Sequence, residues 1–489
     1  MTFKELLTRF PTAKVIGELD GIKVTGVSMD SRTVQPGNLF ICIRGDRFDG
    51  HDFVMQARDN GAAVIVAEEA MHIDVPVVIV PDTVRAMALI SDAYYQQPTK
   101  NLNLIGVTGT NGKTSVTYLL DEIFRRYNQK TALIGTIHMK IGDDVYPVKN
   151  TTPDSLFLQQ SFHTMVKEGI QTAIMEVSSH ALTQGRVYGC DFNIAVFTNL
   201  SQDHLDYHES MEEYFRAKSL LFSQLGNTYD PKLPKRAIIN LDSPYAKTLI
   251  RSTAQPVLTY GIESEADVRA QRIHLHEKGS VFELVTSTET VMVRSPLIGK
   301  FSVYNMLAAA AAALVSDVPL LDIKKALETS QGVRGRFEPV EEGQDFGVII
   351  DYSHTPDSLH NVVKTLKEFC DGSVRVVVGC GGDRDRTKRS LMAEVAINTG
   401  DEAIFTSDNP RSEDPESIIN DMVENLNEPY HRITDREKAI EFALKNSKAG
   451  DMVLIAGKGH ETYQEINGVR TEFDDREVAR KIIKQMKGL

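Results

Sequence analysis

The stretch that most constrains the fold of this chain is a glycine-rich segment between a strand pattern and a helix pattern. Leu104 to Val107 is a short apolar run, typical of a buried strand, and glycines then interrupt it. From Thr114 onward, apolar residues recur at helical spacing. The order strand, glycine loop, helix predicts an α/β sheet with an anion site, because free backbone N–H groups and the positive end of the helix dipole meet there.

The residues of this loop favour a nucleotide phosphate as the anion. Lys113 is placed to reach the β- and γ-phosphates, and the hydroxyl of Thr114 is placed to bind Mg²⁺. The pattern departs from the standard phosphate loop at Val107, which stands where the first glycine belongs. A plain connection between a strand and a helix is the alternative interpretation, and the Gly-Lys-Thr sequence in this context favours the phosphate site.

The composition argues against several other classes of protein. The formal net charge is −13, whereas non-specific nucleic-acid binding requires a basic surface. The N-terminus lacks the apolar core of a signal peptide, and the longest apolar run, residues 306–315, is too short and alanine-rich to span a bilayer. The cysteines form no C-x-x-C pair, so neither a zinc site nor a disulfide framework is expected. The expectation is a cytoplasmic enzyme.

A length of 489 residues suggests about three domains. Residues 1–98 contain strand and helix patterns sufficient for a small α/β domain. Residues 99–332 alternate strands with helices, which predicts a mainly parallel sheet, and Pro98 to Asn101 is interpreted as the linker that precedes it. In residues 333–489, strand patterns end in polar or glycine-rich loops, as in a doubly wound, Rossmann-like domain.

Polar residues follow two successive strand patterns of the middle domain. Glu176 to His180 ends one strand, and Asn199 to His204 ends the next. Ligands of parallel sheets bind beyond the carboxyl ends of the strands. One such cluster could be a satisfied polar turn, but two of them beside a phosphate loop favour a functional site.

Several local segments allow two interpretations. Asp30-Ser31-Arg32 is either a surface turn or an anion contact. The segment from Asn150 to Asp154 looks like a helix start with proline near its first turn. Lys218 lies in a helix pattern and is by default a solvated lysine, and residues 265–296 alternate in a way that predicts a hairpin-rich sheet edge.

Five motifs together resemble the Mur ligase family, the ATP-dependent amino-acid ligases of peptidoglycan precursor synthesis. They are TGTNGKTS at residues 108–115, EVSSH at 176–180, NLSQDHLDYH at 199–208, GRFE at 335–338 and DYSHTPDS at 351–358. The resemblance covers all three domains. It implies a UDP-substrate-binding domain at 1–98, a central ATP-binding domain at 99–332 and an amino-acid-binding domain at 333–489.

The resemblance also implies roles for individual residues. ATP would contact Gly109, Thr110, Asn111, Gly112, Lys113, Thr114, Ser115, Asn305, Arg336, Asp351 and His354. Thr114 and Glu176 would hold one Mg²⁺, and His204 would hold a second together with Lys218, which would be carbamylated to N6-carboxylysine. Lys113, Lys218, His204, Glu176 and Arg336 would form the catalytic set. The sequence departs from many family members at Ser302, where a second asparagine is common.

Two further substrates are implied by the same resemblance. UDP-N-acetylmuramoyl-L-alanyl-D-glutamate would contact Ser31, Asn150, Thr151, Thr152, Ser178, Gln184 and Arg186. The amino acid would contact Arg384, Asp408, Asn409, Pro410, Arg411, Gly457 and Glu461. DNPR at 408–411 with GGDR at 381–384 resembles the version that adds meso-diaminopimelate, whose distal carboxylate an arginine fork would grip. The glutamyl carboxylate would be activated as an acyl phosphate before the amine attacks it.

Three alternatives remain open at this point. The chain could be an L-lysine-adding ligase of the same family, a folylpolyglutamate synthase or a non-catalytic nucleotide-binding switch. The N-terminal domain with Asp30-Ser31-Arg32 argues against the synthase, because synthases of that kind lack a UDP-binding domain. A switch would need the phosphate loop but neither both strand-end clusters nor Lys218. We expect a monomer without a nucleic-acid partner or membrane insertion.

Overall fold

A computed structural model describes residues 9–45, 48–203, 207–231, 234–276 and 278–488. Within these ranges it forms three large sheets, each covered by helices, and one separate hairpin. The predicted α/β class and the three-domain architecture are confirmed. The domain boundaries at 98/99 and 332/333 stay predictions.

The N-terminal sheet has the strand order β1-β5-β4-β3-β2. Its strands are β1 (Lys14–Ile16), β2 (Gly26–Ser28), β3 (Asn38–Ile41), β4 (Val64–Ala67) and β5 (Val77–Ile79), and its helices are α1 (Val54–Asp59) and α2 (Thr83–Tyr94). β3 and β4 are buried along their whole length, as their continuous apolar sequences predict. The exposed strand β1 pairs antiparallel with β5 and was not predicted.

The segment predicted to be a linker is a packed turn. Pro98–Asn101 forms a single 3₁₀ turn, in which Pro98 and Thr99 are buried. The backbone N–H of Asp191 donates to the Thr99 hydroxyl over 3.3 Å, so this segment packs against the middle domain. A proline pattern indicates a turn but does not reveal whether the turn is covered.

The middle sheet has eleven strands in the order β16-β15-β14-β13-β12-β11-β6-β10-β7-β8-β9. The strands are β6 (Asn103–Thr108), β7 (Thr131–Ile134), β8 (Met139–Ile141), β9 (Asp144–Tyr146), β10 (Thr172–Glu176), β11 (Ile194–Phe197), β12 (Arg236–Asn240), β13 (Val257–Gly261), β14 (Val268–His276), β15 (Gly279–Val285) and β16 (Thr290–Ser295). The pairs from β7 to β14 are parallel, and antiparallel hairpins flank them. The hairpin edge predicted at 265–296 is confirmed.

Seven helices pack around this sheet within the described ranges. They are α3 (Lys113–Arg126), α4 (Ser155–Lys167), α5 (Ser179–Thr183), α6 (Met211–Ser223), α7 (Ala246–Ser252), α8 (Lys300–Leu314) and α9 (Leu320–Thr329). The run Ala308–Ala313 of α8 is buried in the same core as α3, where small side chains allow close approach of the helices. β6 lies between β10 and β11, so the loop after β6 emerges where ligands of parallel sheets bind.

The C-terminal sheet has the order β17-β18-β22-β19-β20-β21, and only the β17 pairing is antiparallel. Its strands are β17 (Glu338–Pro339), β18 (Gly347–Asp351), β19 (Val374–Val378), β20 (Glu402–Phe405), β21 (His431–Arg432) and β22 (Met452–Ala456). Its helices are α10 (Pro356–Lys367), α11 (Thr387–Thr399), α12 (Pro415–Val423), α13 (Arg436–Lys445) and α14 (Asp475–Met486). The hairpin of β23 (Tyr463–Ile466) and β24 (Val469–Glu472) lies beside it.

Candidate active site

Two glycines of the loop after β6 adopt backbone conformations that other residues rarely accept. Gly109 has φ +150°, and a Cβ there would lie 1.8 Å from the Thr198 hydroxyl. Gly112, at the start of α3, has φ +87°, and a Cβ there would lie 2.4 Å from Oδ1 of Asn305. Glycine is required at both positions because of the positive φ and the close neighbours. The loop thus keeps its backbone free of side chains where an anion would approach.

The strand end after β11 holds this loop in place. The Thr198 hydroxyl donates to the carbonyl of Asn111 over 2.6 Å, and Oδ1 of Asn199 accepts from the backbone N–H of Asn111 over 2.9 Å. The Thr110 hydroxyl lies 3.2 Å from that of Tyr214 on α6. The strand-end cluster that begins at Asn199 therefore meets the phosphate-loop pattern, as the parallel-sheet argument predicted.

Lys113 folds back onto its own loop. Its Nζ donates to the carbonyls of Gly109 and Thr110 over 2.9 and 2.8 Å. Burial lowers the pKa of its ammonium, against the attraction of Glu176. An incoming phosphate would offer this ammonium a charged partner in place of two carbonyl oxygens, and charge-assisted hydrogen bonds of that kind are stronger.

Hydroxyl and carboxylate oxygens converge beside the start of α3. The Thr114 hydroxyl donates to Oε1 of Glu176 over 3.1 Å. Glu176 also accepts from the backbone N–H of Thr136 over 2.8 Å and from its hydroxyl over 3.1 Å. Hard oxygen donors of this kind suit Mg²⁺, which binds proteins through few direct ligands. The residues present therefore fit the predicted metal.

The predicted metal site also includes His204. His204 lies outside the described residues, so its role stays a prediction. No group of three or more His, Cys, Asp or Glu side chains in the described part of the chain is arranged to hold a metal by itself.

Lys218 is not the solvated lysine that its helix pattern suggests. It lies on α6 with 1% exposure, and its Nζ donates to the carbonyl of Gly109 over 2.8 Å. Burial, reinforced by the neighbouring Lys113, holds the pKa of its ammonium well below the usual range. A neutral amine next to the phosphate loop is a nucleophile toward CO₂, so this site suits the carbamylated lysine that the resemblance implies.

Arg336 links the C-terminal domain to the phosphate loop. Its Nη2 donates to the Thr114 hydroxyl over 3.3 Å, and its guanidinium lies 4.4 Å from the ring centre of Tyr352. Its Nε is buried and has no hydrogen-bond partner among the described residues. A buried N–H donor without a partner is costly, so a group bound in this cleft would satisfy it.

Asp351 and His354 lie near Arg336 at the end of β18. Burial raises the pKa of the Asp351 carboxyl, although Ser353, Arg336 and the backbone N–H of Phe337 oppose the shift. Burial, aided by the positive charge of Lys388, lowers the pKa of His354 to about 4, so its imidazole is neutral at neutral pH. Its Nδ1 lies 2.9 Å from the carbonyl of Tyr352, which favours the tautomer protonated at Nδ1.

A cavity of about 430 Å³ lies between the middle and C-terminal domains. Its lining includes six of the residues predicted to bind ATP: Asn111, Gly112, Ser115, Asn305, Arg336 and Asp351. The Ser302 hydroxyl donates to the carbonyl of Ile298, just before the start of α8, over 2.7 Å. Ser302 thus lines the same cavity without offering the amide that a second asparagine would supply.

Four of the seven residues predicted to bind the UDP substrate lie close to Glu176. The Thr152 hydroxyl donates to the Glu176 carbonyl over 2.9 Å and accepts from the backbone N–H of Ser178 over 3.0 Å. Nη1 of Arg186 donates to the Thr152 carbonyl over 3.1 Å. The Thr151 hydroxyl lies 3.1 Å from that of Thr136. These contacts place four of the predicted residues next to the oxygen cluster.

The remaining UDP-substrate residues differ in their surroundings. Ser31 belongs to the N-terminal domain, where its hydroxyl donates to Oε1 of Gln56 over 2.7 Å. Asn150 is exposed and Gln184, which follows α5, is half-buried. Asp154, just after the predicted helix start, caps α4 by accepting from the backbone N–H of Phe157.

The predicted amino-acid site lies at the ends of β20 and β22. Nδ2 of Asn409 donates to Oε2 of Glu461 over 2.7 Å. Gly457 has φ +109°, and a Cβ there would lie 2.7 Å from Oδ2 of Asp408. Burial and the neighbouring Asp408 raise the pKa of Glu461, against the effect of Lys458. Two carboxyl groups within electrostatic reach of each other thus lie at this site, and carboxylates suit an ammonium.

The two predicted arginines of this site have different environments. Arg411 has φ +55°, and its Nη1 donates to the carbonyl of Gly382 over 2.7 Å. Its backbone N–H donates to the backbone carbonyl of Glu465 in β23, and this hydrogen bond stabilises the unusual backbone conformation. Arg384 is exposed and donates to the carbonyl of Asp383. Pro410 is buried between them, with its carbonyl close to Gly382.

Three buried cations of this region were not singled out from the sequence. Lys458, Arg389 and Arg436 have side chains with 0% exposure. Lys458 contacts Asn409 and Glu461 directly. A charged residue between two glycines at the end of a buried strand is a signal that could have identified Lys458, whereas helix patterns gave no indication of the two arginines.

Within the described ranges, no helix combines the length and apolarity needed to cross a bilayer. The cysteines are unpaired, and burial raises the pKa of the Cys42 and Cys380 thiols to about 12. The expectation of no disulfide framework is therefore consistent with the observed thiols.

Three family models match consecutive parts of the chain. The Mur ligase family catalytic domain matches residues 23–102, the Mur ligase middle domain matches 107–313, and the Mur ligase glutamate ligase domain matches 335–459. Together they cover most of the sequence, and each match corresponds to one of the three large sheets.

Individual relatives agree with these models. A Bacillus velezensis protein named UDP-N-acetylmuramoyl-L-alanyl-D-glutamate–2,6-diaminopimelate ligase is 54% identical, with 99% of each chain covered. A solved structure of the same name is 37% identical, with a TM-score of 0.72, and 100% of this chain and 99% of that chain are covered.

A folylpolyglutamate synthase of Mycobacterium tuberculosis, complexed with ADP and AMPPCP, shares the fold at 16% identity and a TM-score of 0.63, with 83% of this chain and 95% of that chain covered. Such a likeness reports the fold alone, whereas the full-length relatives match every domain. The chain therefore belongs to the Mur ligase family.

Proposed function

We propose that this Mur ligase joins meso-diaminopimelate to UDP-N-acetylmuramoyl-L-alanyl-D-glutamate and hydrolyses ATP to ADP and phosphate in doing so. Full-length relatives that carry the name of this ligase support the proposal. The ADP held by a protein of the same fold supports ATP as the nucleotide.

The observation that carries the proposal is the contact of Arg336 with Thr114. It brings the phosphate loop of the middle domain and the strand ends of the C-terminal domain to one cleft. A second contact, from Nδ2 of Asn111 to Oδ2 of Asp357 over 3.2 Å, joins the same two domains. A nucleotide phosphate and an amino-acid substrate would therefore be bound on facing walls.

The first step requires the γ-phosphoryl group to move to the glutamyl carboxylate. Lys113, the loop N–H groups and Arg336 would stabilise the charge on the transferring group. Thr114 and Glu176 would hold one Mg²⁺, and His204 with carbamylated Lys218 would hold a second; when bound, these ions would offset further phosphate charge. The resulting acyl phosphate makes the carboxylate carbon electrophilic.

The second step is attack by the amine of diaminopimelate on the acyl phosphate, which passes through a tetrahedral intermediate to the amide and phosphate. Acyl phosphates hydrolyse in water, so the facing domains would also exclude solvent. The Thr152, Ser178 and Arg186 cluster behind Glu176 would bind the UDP-dipeptide so that its carboxylate reaches the γ-phosphate.

The amino-acid choice rests on the site at the ends of β20 and β22. Diaminopimelate carries an ammonium and a carboxylate at its distal end, whereas lysine carries only the ammonium. Asp408 and Glu461 would bind the ammonium, Asn409 would orient Glu461 through its hydrogen bond, and Arg411 with Arg384 would grip the carboxylate. With L-lysine as the substrate, the arginine that would bind the distal carboxylate has no partner. An unpaired group of this kind typically lowers kcat/KM about 10⁴-fold.

The test is kcat/KM for meso-diaminopimelate and for L-lysine, measured as amide product formed from the UDP-dipeptide and ATP. Wild type should prefer diaminopimelate strongly, and Arg411→Ala should lose most of that preference. Arg432→Ala is a matched control, because Arg432 pairs with Glu416 on the far side of α12. Equal wild-type values for the two amino acids would refute the choice of diaminopimelate.

The same assay separates the other classes. A nucleotide switch would hydrolyse ATP slowly and without dependence on the UDP-dipeptide, whereas the ligase requires both co-substrates. A folylpolyglutamate synthase would accept glutamate on a folate. We further propose a cytoplasmic monomer, which size-exclusion chromatography with light scattering would test.

A further inference from the structure

Lys458 is a buried cation at the centre of the proposed amino-acid site. Its side chain has 0% exposure, although lysine is almost never fully buried without partners. Its Nζ donates to Oδ1 of Asn409 over 3.1 Å, to Oε2 of Glu461 over 3.3 Å and to the carbonyl of Tyr463. All three donor positions of the ammonium are used, so its location is fixed by its partners.

These contacts set the orientation of Asn409. Its Oδ1 accepts from Lys458 and from the backbone N–H of Glu465 over 2.9 Å, so its Nδ2 is the end that faces Glu461. Lys458 and the backbone N–H of Glu465 together mark the Oδ1 end of the amide. Lys458 thus holds Glu461 both directly and through Asn409.

Lys458 also sets the charge of the site. Burial and Asp408 both favour the protonated form of Glu461, and they raise its pKa. Lys458 and Asn409 oppose that effect. Among the described residues, Arg436, Arg470, Tyr352 and Tyr463 also interact electrostatically with this carboxylate. Only an ionised Glu461 attracts an ammonium strongly.

We propose that Lys458 is a positioning residue for the amino-acid substrate: it holds the carboxylate of Glu461, both directly and through Asn409, where that carboxylate can accept from the substrate ammonium. This inference rests on the proposed function, because it assumes that Glu461 meets the amino acid. Lys458 itself would not touch the substrate, since its donors are already occupied.

The test compares Lys458→Met, which removes both charge and donors, with Lys458→Gln, which keeps N–H donors and removes the charge. At neutral pH, we expect the KM for meso-diaminopimelate to rise about tenfold or more in both variants, the usual effect of losing a charged hydrogen bond. The KM for ATP should stay near the wild-type value. Lys445→Met is the matched control, because Lys445 is an exposed lysine paired with Glu441 on α13.

The pH profile separates positioning from a merely structural role. Without Lys458, the pKa of Glu461 should rise further, so the pH below which the KM for diaminopimelate increases should move upward. In a Glu461→Gln background, there is no carboxylate to ionise at this position. Lys458→Met should then raise the KM for diaminopimelate much less and leave the pH dependence of that KM unchanged.

Each outcome decides the question. If the wild-type protein does not ligate diaminopimelate, the proposed function itself is refuted. If wild type ligates diaminopimelate, the inference fails when Lys458→Gln keeps the wild-type KM and pH profile. It also fails when Lys458→Met raises the KM for diaminopimelate by the same factor in the wild-type and Glu461→Gln backgrounds. A third result against it is a lower melting temperature together with an equal rise in the KM of every substrate.

Discussion

The ion pair between Arg436 and Asp475 allows the sharpest prediction about stability. Arg436 begins α13 and Asp475 begins α14, and both side chains have 0% exposure. Nε and Nη2 of the arginine donate to the two carboxylate oxygens over 2.7 Å each. Burial alone would lower the pKa of this guanidinium, but Asp475, together with Asp408 and Glu461, raises it, so the guanidinium stays charged.

The substitution Asp475→Asn should remove the partner and leave the guanidinium buried. Breaking a buried pair in this way destabilises proteins by about 3–5 kcal/mol. For a domain of this size, each kcal/mol corresponds to about 2–4 °C, so the melting temperature of the C-terminal domain should fall by about 6–20 °C. Arg436 also donates to the carbonyls of Ser407 and Ala456.

Those two carbonyls precede the proposed amino-acid contacts Asp408 and Gly457. A displaced Arg436 should therefore raise the KM for the amino acid as well as lower stability. The KM for ATP should respond less, because neither Ser407 nor Ala456 lines the nucleotide cavity.

Urea unfolding followed by circular dichroism measures the free energy of unfolding, since the chain contains no tryptophan for fluorescence. The matched control is Glu441→Gln, which removes one carboxylate from an exposed pair on α13 and should cost less than about 1 kcal/mol. The double variant Arg436→Met/Asp475→Leu should be more stable than Asp475→Asn, because it leaves no unpaired charge. Equal losses in Asp475→Asn and Glu441→Gln would refute the argument.

Three further predictions concern single side chains. Lys113→Ala should abolish ligation while the circular dichroism spectrum stays that of wild type, because it removes a phosphate contact, and unchanged turnover at saturating ATP would contradict this role. Lys218→Ala should lose activity that added short carboxylic acids partly restore, and a folded variant with the wild-type rate would exclude a role for Lys218 in binding metal. Burial alone would raise the pKa of Asp451, but Arg375 and the backbone N–H groups of Ser373 and Lys448 lower it to about 2. Its stabilising effect is therefore complete above about pH 4 and is lost as pH falls through about 2, so the difference in melting temperature between wild type and Asp451→Asn should shrink over that range.

The sequence was most informative where one short segment determines its own structure. The order strand, glycine loop, helix was predicted correctly because the residues that determine it, from Gly109 to Thr114, are neighbours in the chain. The central strands were predicted because parallel strands buried on both faces are continuously apolar. The edge strands β1, β9 and β21 were missed, since short exposed strands have no such pattern. The short inner strand β8 was missed as well.

Contacts between distant segments were beyond prediction from local patterns. Lys218 has the sequence environment of a surface lysine, and only the packing of α6 against the phosphate loop buries it. Arg389 lies in a helix whose sequence has no clear apolar face, yet its guanidinium pairs with Glu413 and Asp421 from the following segments. Burial of a charge depends on partners far away in the chain, and a single sequence does not reveal them.

A continuous series of contacts joins the nucleotide cavity to the amino-acid site. Arg336 donates to Thr114 and stacks on Tyr352, and the ring of Tyr352 lies 5.1 Å from that of His460. His460 directly precedes Glu461, which Lys458 holds. A phosphate that drew Arg336 away from Thr114 would thus change the packing of Tyr352 against the strand end that carries Glu461. Since the reaction needs the acyl phosphate to form before the amine attacks, this series of contacts gives the nucleotide a physical route to the site of the second substrate.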